Sequence, residues 1–388
     1  LSLATSYTDT AGNAGPAATT ANYAVETLAP TVNSVAISSA SGVQNSLLNA
    51  GDNVSVTATF SESVIVDNAS GTPTLTLVVG SDNRTSTYTS GSGSTPLVFQ
   101  YTIQAGETDT DGISIGADAL ALNSGTISDA SGNNATLAHS SVANNSSYMV
   151  DTTAPTTSWS AATDNVGTVT GVLSSSDTTD DTTLVLSGTN EAGSSVMVYN
   201  GSTQLGAATI SGTNWTYSST VANGTTYQFN VTGTDPAGNT SAATTNFTVT
   251  GDTTAPTLVI TMSDVEMDSG KDTAPYNSTI TFTFSETPSN FAAADITTPN
   301  GSIGSTLAVN GGDNALYTAT FTATSGGYDT TNVVTVGQAW TDLAGNAPAA
   351  NSVSINYSID IKTAPTASVT TATITNSGNA VVQSTETG

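Results

Sequence analysis

A short phrase recurs along this chain: an Asp-x-x-Gly-Asn turn and, further on, an acidic residue ahead of Ala-Pro-Thr. The turns are Asp9–Asn13, Asp129–Asn133, Asp235–Asn239 and Asp342–Asn346. The joints place Glu26 before Ala29-Pro30-Thr31, Asp151 before Ala154-Pro155-Thr156, Asp252 before Ala255-Pro256-Thr257 and Asp360 before Ala364-Pro365-Thr366. Repetition at corresponding places means one module copied in tandem. The joint prolines stand 125, 101 and 109 residues apart. That is too long for a solenoid unit of roughly 20–50 residues, and it suits domains that each bury their own core.

Between the joints, apolar and polar residues alternate. Val54, Val56, Ala58 and Phe60 are interleaved with Ser55, Thr57 and Thr59, and Ile280, Phe282 and Phe284 with Thr279, Thr281 and Thr283. A period of two marks strands with one buried face. Gly, Asn, Asp and Pro punctuate the pattern and no stretch has helical periodicity. The expected class is all-β: immunoglobulin-like two-sheet sandwiches in a linear array. The expected repeats are 28–152, 153–253 (a divergent type) and 254–362. Residues 1–27 read as the end of a preceding repeat and 363–388 as the start of a further one. The ends therefore fall in mid-module, as in a window cut from a longer array or in partial ends that pair between chains.

The formal charge is -27, from 30 acidic residues against the three bases Arg84, Lys271 and Lys362, in a chain only 9% charged. No basic face for nucleic acid can be assembled, and no apolar run is long enough to insert in a membrane. Sparse carboxylates without bases suit divalent cations or a heavily solvated surface. Cysteine is absent, so rigidity must come from something other than disulfides.

On an immunoglobulin-type sandwich, the second strand ends at Phe60-Ser61-Glu62 or Phe284-Ser285-Glu286, beside the joint. The Asp-x-x-Gly-Asn turn links the last two strands at that same end. Three acids per module are then expected to converge: Glu26, Glu62 and Asp129; Asp151, Glu191 and Asp235; Asp252, Glu286 and Asp342. Asn133, Asn239 and Asn346 could add carbonyl oxygens. Ca²⁺ takes six to eight oxygens from such groups, and without it three crowded carboxylates repel. The competing reading is that each Asp only caps its own turn. In the second module the apolar phase at Leu184 and Leu186 does not match Glu191, a mismatch that a bulge could absorb.

Other acidic stretches carry a weaker signal. Glu107-Thr-Asp109-Thr-Asp111-Gly112 alternates like a cation loop but lacks the closing Glu of an EF-hand. Asp164, Asp180, Asp181, Asp264, Glu266, Asp268 and Asp272 read as solvated loops. His139 is the sole histidine, which argues against a His-dependent triad or a zinc centre; no enzyme is expected. Trp340 reads as core, whereas Trp215 and Tyr217 are candidates for stacking on a glycan.

The Asp-x-Ala-Gly-Asn turns, the Asp-Thr-Thr-Ala-Pro-Thr joints, Phe-Ser-Glu, the stretch Gln104–Ile113, Asp164–Gly171 and Thr179–Thr182 together resemble the bacterial Ig-like repeats of giant surface adhesins, of the biofilm-associated and repeats-in-toxin types. The resemblance covers essentially the whole chain. It implies a non-catalytic extender, extracellular or on a bacterial cell surface, stiffened by Ca²⁺ at the joints and supporting adhesion or biofilm formation. The implied partners are the neighbouring repeats. A repeat that grips a glycan or another surface protein, and a self-assembling filament subunit, are the alternatives. Two joints depart from the pattern: Glu26 replaces Asp, and Lys362 sets a positive charge beside Asp360, against a cation there.

Overall fold

The computed structural model describes residues 7–362, together with the backbone of Ser2–Leu3, Ala367–Ser368 and Gln383–Ser384. The expected joint at Ala364-Pro365-Thr366 and most of the 363–388 segment lie outside the described residues. Among the described residues every regular element is a strand except one short 3-10 turn, Ala293–Asp295. The all-β expectation from the period-two patterning holds. The chain divides into two compact units. The first runs to Thr156 and takes in Glu191–Ser194 and Gly233–Ala242; the second holds the rest.

The first unit is built on one long strand, Asn53–Asp67, in a seven-stranded sheet. Val54, Val56, Ala58 and Phe60 alternate inward and are at most 1% exposed. The strand pairs with Ser94–Thr102, setting Val56 opposite Phe99, and with Val32–Ser41, setting Val56 opposite Ile37. A smaller sheet of Leu47–Leu48, Met149–Asp151 and Thr108–Asp109 accompanies it. Leu75, Leu77, Leu97, Ile113, Ile115 and Ile127 complete the core. Each such side chain contributes roughly 1.5–3 kcal/mol by leaving water. Glu107 is buried here and occupied: it accepts from the Arg84 guanidinium, the Tyr101 hydroxyl and the Gln104 N–H. Burial, then the bond to Glu107, pushes the Tyr101 phenol up to about 12. Asp109 accepts from the N–H groups of Gly80, Asp111 and Gly112. The Glu107–Gly112 stretch is thus a hydrogen-bonded turn whose two buried acids are already committed.

The second unit contains two cores. Residues 157–251 form two five-stranded sheets. Leu184, Leu186, Val196, Val198, Trp215, Phe229 and Val249 fill the space between them. The final strand, Phe247–Gly251, pairs in parallel with Asp177–Thr179 and antiparallel with Thr226–Thr234. The other core lies under the sheet that pairs Asn277–Phe284 with Leu258–Met262 and Asp313–Ala323. There Phe282, Phe284, Phe321, Trp340 and Tyr357 are buried. Trp340 is 1% exposed and meets Phe284 edge-on at 4.8 Å, so it is core as read.

The three bases are all engaged. Arg84 pairs with Glu107 and with Asp82 at 3.0 Å. Lys271 pairs with Glu266 at 3.2 Å. The Lys362 ammonium sits 4.6 Å above the Tyr328 ring, an exposed cation–π contact.

Candidate metal centre

Each Asp-x-x-Gly-Asn turn has the same internal chemistry. In Asp342–Asn346, Oδ1 of Asp342 accepts the N–H groups of Ala344, Gly345 and Asn346, at 2.8–2.9 Å. Its Oδ2 accepts the Asn346 side-chain amide at 2.9 Å. The backbone closes the loop with Asp342 N–H donating to Asn346 O. Gly345 has φ +108°, a conformation that excludes most other residues. Asp9, Asp129 and Asp235 bond to Asn13, Asn133 and Asn239 in the same way. Capping the turn is therefore a real duty of every one of these aspartates.

The asparagine has a second duty. Asn346 Nδ2 also donates to Asp252 O at 2.8 Å, and Asn239 Nδ2 to Asp151 O at 2.9 Å. Asn133 Nδ2 donates to Glu26 Oε2 at 2.6 Å. In each case the amide pins the acidic joint residue to the turn through its nitrogen, so the asparagine presents a donor to the joint where a carbonyl oxygen was expected.

Among the described residues one acidic trio brings ligand oxygens within 4.8 Å of one another: Asp252, Glu286 and Asp342. Asp342 is wholly buried and the other two are half-buried. Burial first, then the negative charges of Asp342 and Asp252, raises the proton affinity of Glu286. Hard oxygen donors with no base among them suit a divalent cation such as Ca²⁺, with backbone oxygens or water completing its shell.

The other two trios do not assemble in this way. At the second joint the reason is register. Thr31 N–H donates to Ser61 Oγ and Thr257 N–H to Ser285 Oγ, while Ser61 N–H and Ser285 N–H return bonds to the carbonyls of the same threonines. At the matching place Glu191 N–H donates to Thr156 O, and Thr156 N–H reaches Glu191 Oε2 at 3.4 Å. Glu191 therefore stands where the serine of Phe-Ser-Glu stands, one residue short of the glutamate. No bulge brings Glu191 into phase: the irregularity lies in the partner strand, between Trp159 and Ala161, and does not shift Glu191. Asp151 and Asp235 remain at that joint without a third acid in ligand range. At the first joint Glu26 and Asp129 meet through Asn133, and Glu62 is outside the group. The Asn133 side-chain amide first, then its backbone N–H and the contact with Glu26, hold Asp129 down to about 2 against the effect of burial.

One further expectation changes. Trp215 is fully buried, its indole N–H donating to Ser158 O at 3.0 Å, so it has no face to offer a glycan. His139 accepts Ala119 N–H at Nε2 and contacts Ser140 O through Nδ1, bracing a loop. No helix among the described residues is long and apolar enough to cross a membrane.

Sequence profiles of bacterial Ig-like domains match residues 152–253 and residues 252–359. No curated protein matches the chain significantly. Among solved structures, fibronectin(III)-like modules of Clostridium thermocellum CbhA align at 13% identity, over 56% of this chain and 94% of that one, with a TM-score of 0.27. A putative membrane-anchored protein of Corynebacterium diphtheriae aligns at 9% identity, over 84% and 92%, with a TM-score of 0.22. The extracellular region of plexin A4 aligns at 7% identity, over 84% and 43%, with a TM-score of 0.23. These scores are too low to carry a functional argument. The two profile matches, in tandem over more than half of the sequence and on sandwich cores of their own, place this chain among the bacterial Ig-like domain proteins.

Proposed function

We propose that the chain is a non-catalytic extender segment of a bacterial surface or secreted adhesin, with Ca²⁺ held by Asp252, Glu286 and Asp342. The observation that carries the cation reading is this trio: three carboxylates within 4.8 Å, one wholly buried, with no base in the group. The extender reading rests on the tandem Ig-like domains and on joints made from acids and proline. Proline fixes φ and gives no N–H to a ladder, so it ends one domain and stiffens the approach to the next. An extracellular or cell-surface location follows from the same reading, as does a role in adhesion or biofilm formation. The partners in this reading are the neighbouring repeats.

The sign of the pH effect is fixed by Glu286. A carboxyl whose proton affinity rises on folding destabilises the fold once it ionises. That penalty is absent below its ordinary value of 4.5 and grows as pH rises through the elevated one. A bound cation removes it, so calcium should stabilise most at neutral pH. At a Kd of about 10⁻⁴–10⁻³ M, about 10 mM Ca²⁺ would add roughly 1.4–2.7 kcal/mol. The test is thermal unfolding in Ca²⁺ and in chelator. The wild type should melt higher with Ca²⁺. Glu286→Gln should lose that shift and melt above the wild type in chelator. No calcium shift in the wild type would reject the site.

A further inference from the structure

The tips of the repeated turns are not equally exposed. Ala237 and Ala344, each at the tip of its turn, are 0% and 1% exposed, whereas Ala11 and Ser131 at the same place are open to solvent. A surface turn can bury its tip only against something else. For Ala237 that something lies within the first unit, in the loop 44–49. Asn45 Nδ2 donates to Pro236 O and Asn49 Nδ2 to Ala237 O, both at 2.9 Å. Gln44 lies over Gly238 so closely that a Cβ there would come within 2.4 Å of its side-chain amide nitrogen.

The loop is shaped for this. Asn45 and Ser46 are consecutive residues with φ +50° and +65°. Non-glycine residues reach that region at a cost, and it persists where surrounding structure demands it. Asn49 N–H is fixed by Asp52, the Gln44 and Leu47 backbones bond to each other, and Met149 N–H reaches Ser46 O. Two main-chain carbonyls of the turn tip thus meet side-chain amides, a neutral contact that needs no ion.

The turn at Asp342 meets different chemistry, all within the second unit. A Cβ at Gly345 would lie 3.3 Å from Asp180 Oδ2 and 3.4 Å from the Val169 Cβ. Asp180 Oδ1 is buried without a hydrogen-bond partner. Burial first, then the negative charges of Asp164, Asp342 and Asp181, raises its proton affinity.

We propose that loop 44–49 is an amide-lined socket that seats the Asp235–Asn239 turn as a plug and fixes that joint without metal. The acid-lined counterpart at Gly345 leaves the following joint dependent on an ion, a part that rests on the calcium reading above. One chain would then combine a permanently fixed joint with an ion-gated one.

The absence of cysteine allows paired spin labels in the full chain at the exposed positions Thr110→Cys and Ser202→Cys, or Ser202→Cys and Ser305→Cys. The 110–202 distance distribution should be the same in Ca²⁺ and in chelator. Asn45→Asp with Asn49→Asp keeps side-chain shape and removes both donors. Each lost bond shifts an equilibrium about fivefold, so the unseated population should rise about 25-fold and the distribution should broaden in both buffers. Gln44→Trp, which obstructs the socket from an exposed position, should broaden it as well. Broadening of the wild-type 110–202 distribution on chelation would overturn the socket, as would indifference to both variants. The 202–305 distribution should broaden on chelation. If it does not, the ion-gated half and the calcium reading fail together while the socket stands.

Discussion

The carboxylate of Asp342 carries several duties at once. It closes a turn through three backbone N–H groups, takes the Asn346 amide and belongs to the acidic trio. These roles can be separated. Asp342→Ala leaves buried N–H groups without an acceptor and should cost about 2–4 kcal/mol in denaturant unfolding. Asp342→Asn keeps an oxygen for the backbone and should cost clearly less, yet it should abolish calcium stabilisation as fully as the alanine does. Equal losses from the two variants would show that the charge, and not the turn, carries the stability. The sequence made the turn legible because Asp, Gly and Asn each answer a separate geometric demand. It did not make the trios legible, because convergence depends on which way a side chain leaves its strand. Glu191 shows this: one residue of register turns a ligand candidate into a bond acceptor for Thr156.

Strands were the most readable elements. The alternation at Val54–Phe60 and Ile280–Phe284 translates directly into burial, since successive residues of a strand face opposite sides. Trp215 was misread for a related reason. It lies in Asn214–Thr220, a strand whose neighbours Gly188 and Ile210 leave a space that only the long-range pairing reveals. A Cβ at Gly188 would come within 2.6 Å of the Trp215 ring, so glycine on one strand makes room for tryptophan on the next. Trp215→Ala should therefore cost about 3–5 kcal/mol, seen as an earlier transition of the 157–251 core. Any loss of ligand binding in that variant should track unfolding and vanish at temperatures where the fold is intact. Binding lost from a fully folded variant would restore a direct role for the residue.

At the scale of the whole chain, acids outnumber bases ten to one, and the few bases present are spent on local contacts. Composition alone announced the excess; that Arg84 lies inside a paired strand and reaches a buried glutamate needed the fold. This placement bears on survival outside a cell. Enzymes of the trypsin class cut only after lysine or arginine, and they require several residues of extended, unpaired backbone. Arg84 is paired with Leu77 inside its strand and its guanidinium is tied to a buried glutamate, whereas Lys271 stands exposed in a turn. A digest of the native chain should yield cuts after Lys271 and Lys362 and none after Arg84, read by intact-mass spectrometry. Early cleavage at Arg84 would mean that the first core opens readily. From Arg84 to Lys271 is 187 residues and from Lys271 to Lys362 is 91, so a protease of this class finds very few bonds at which to begin.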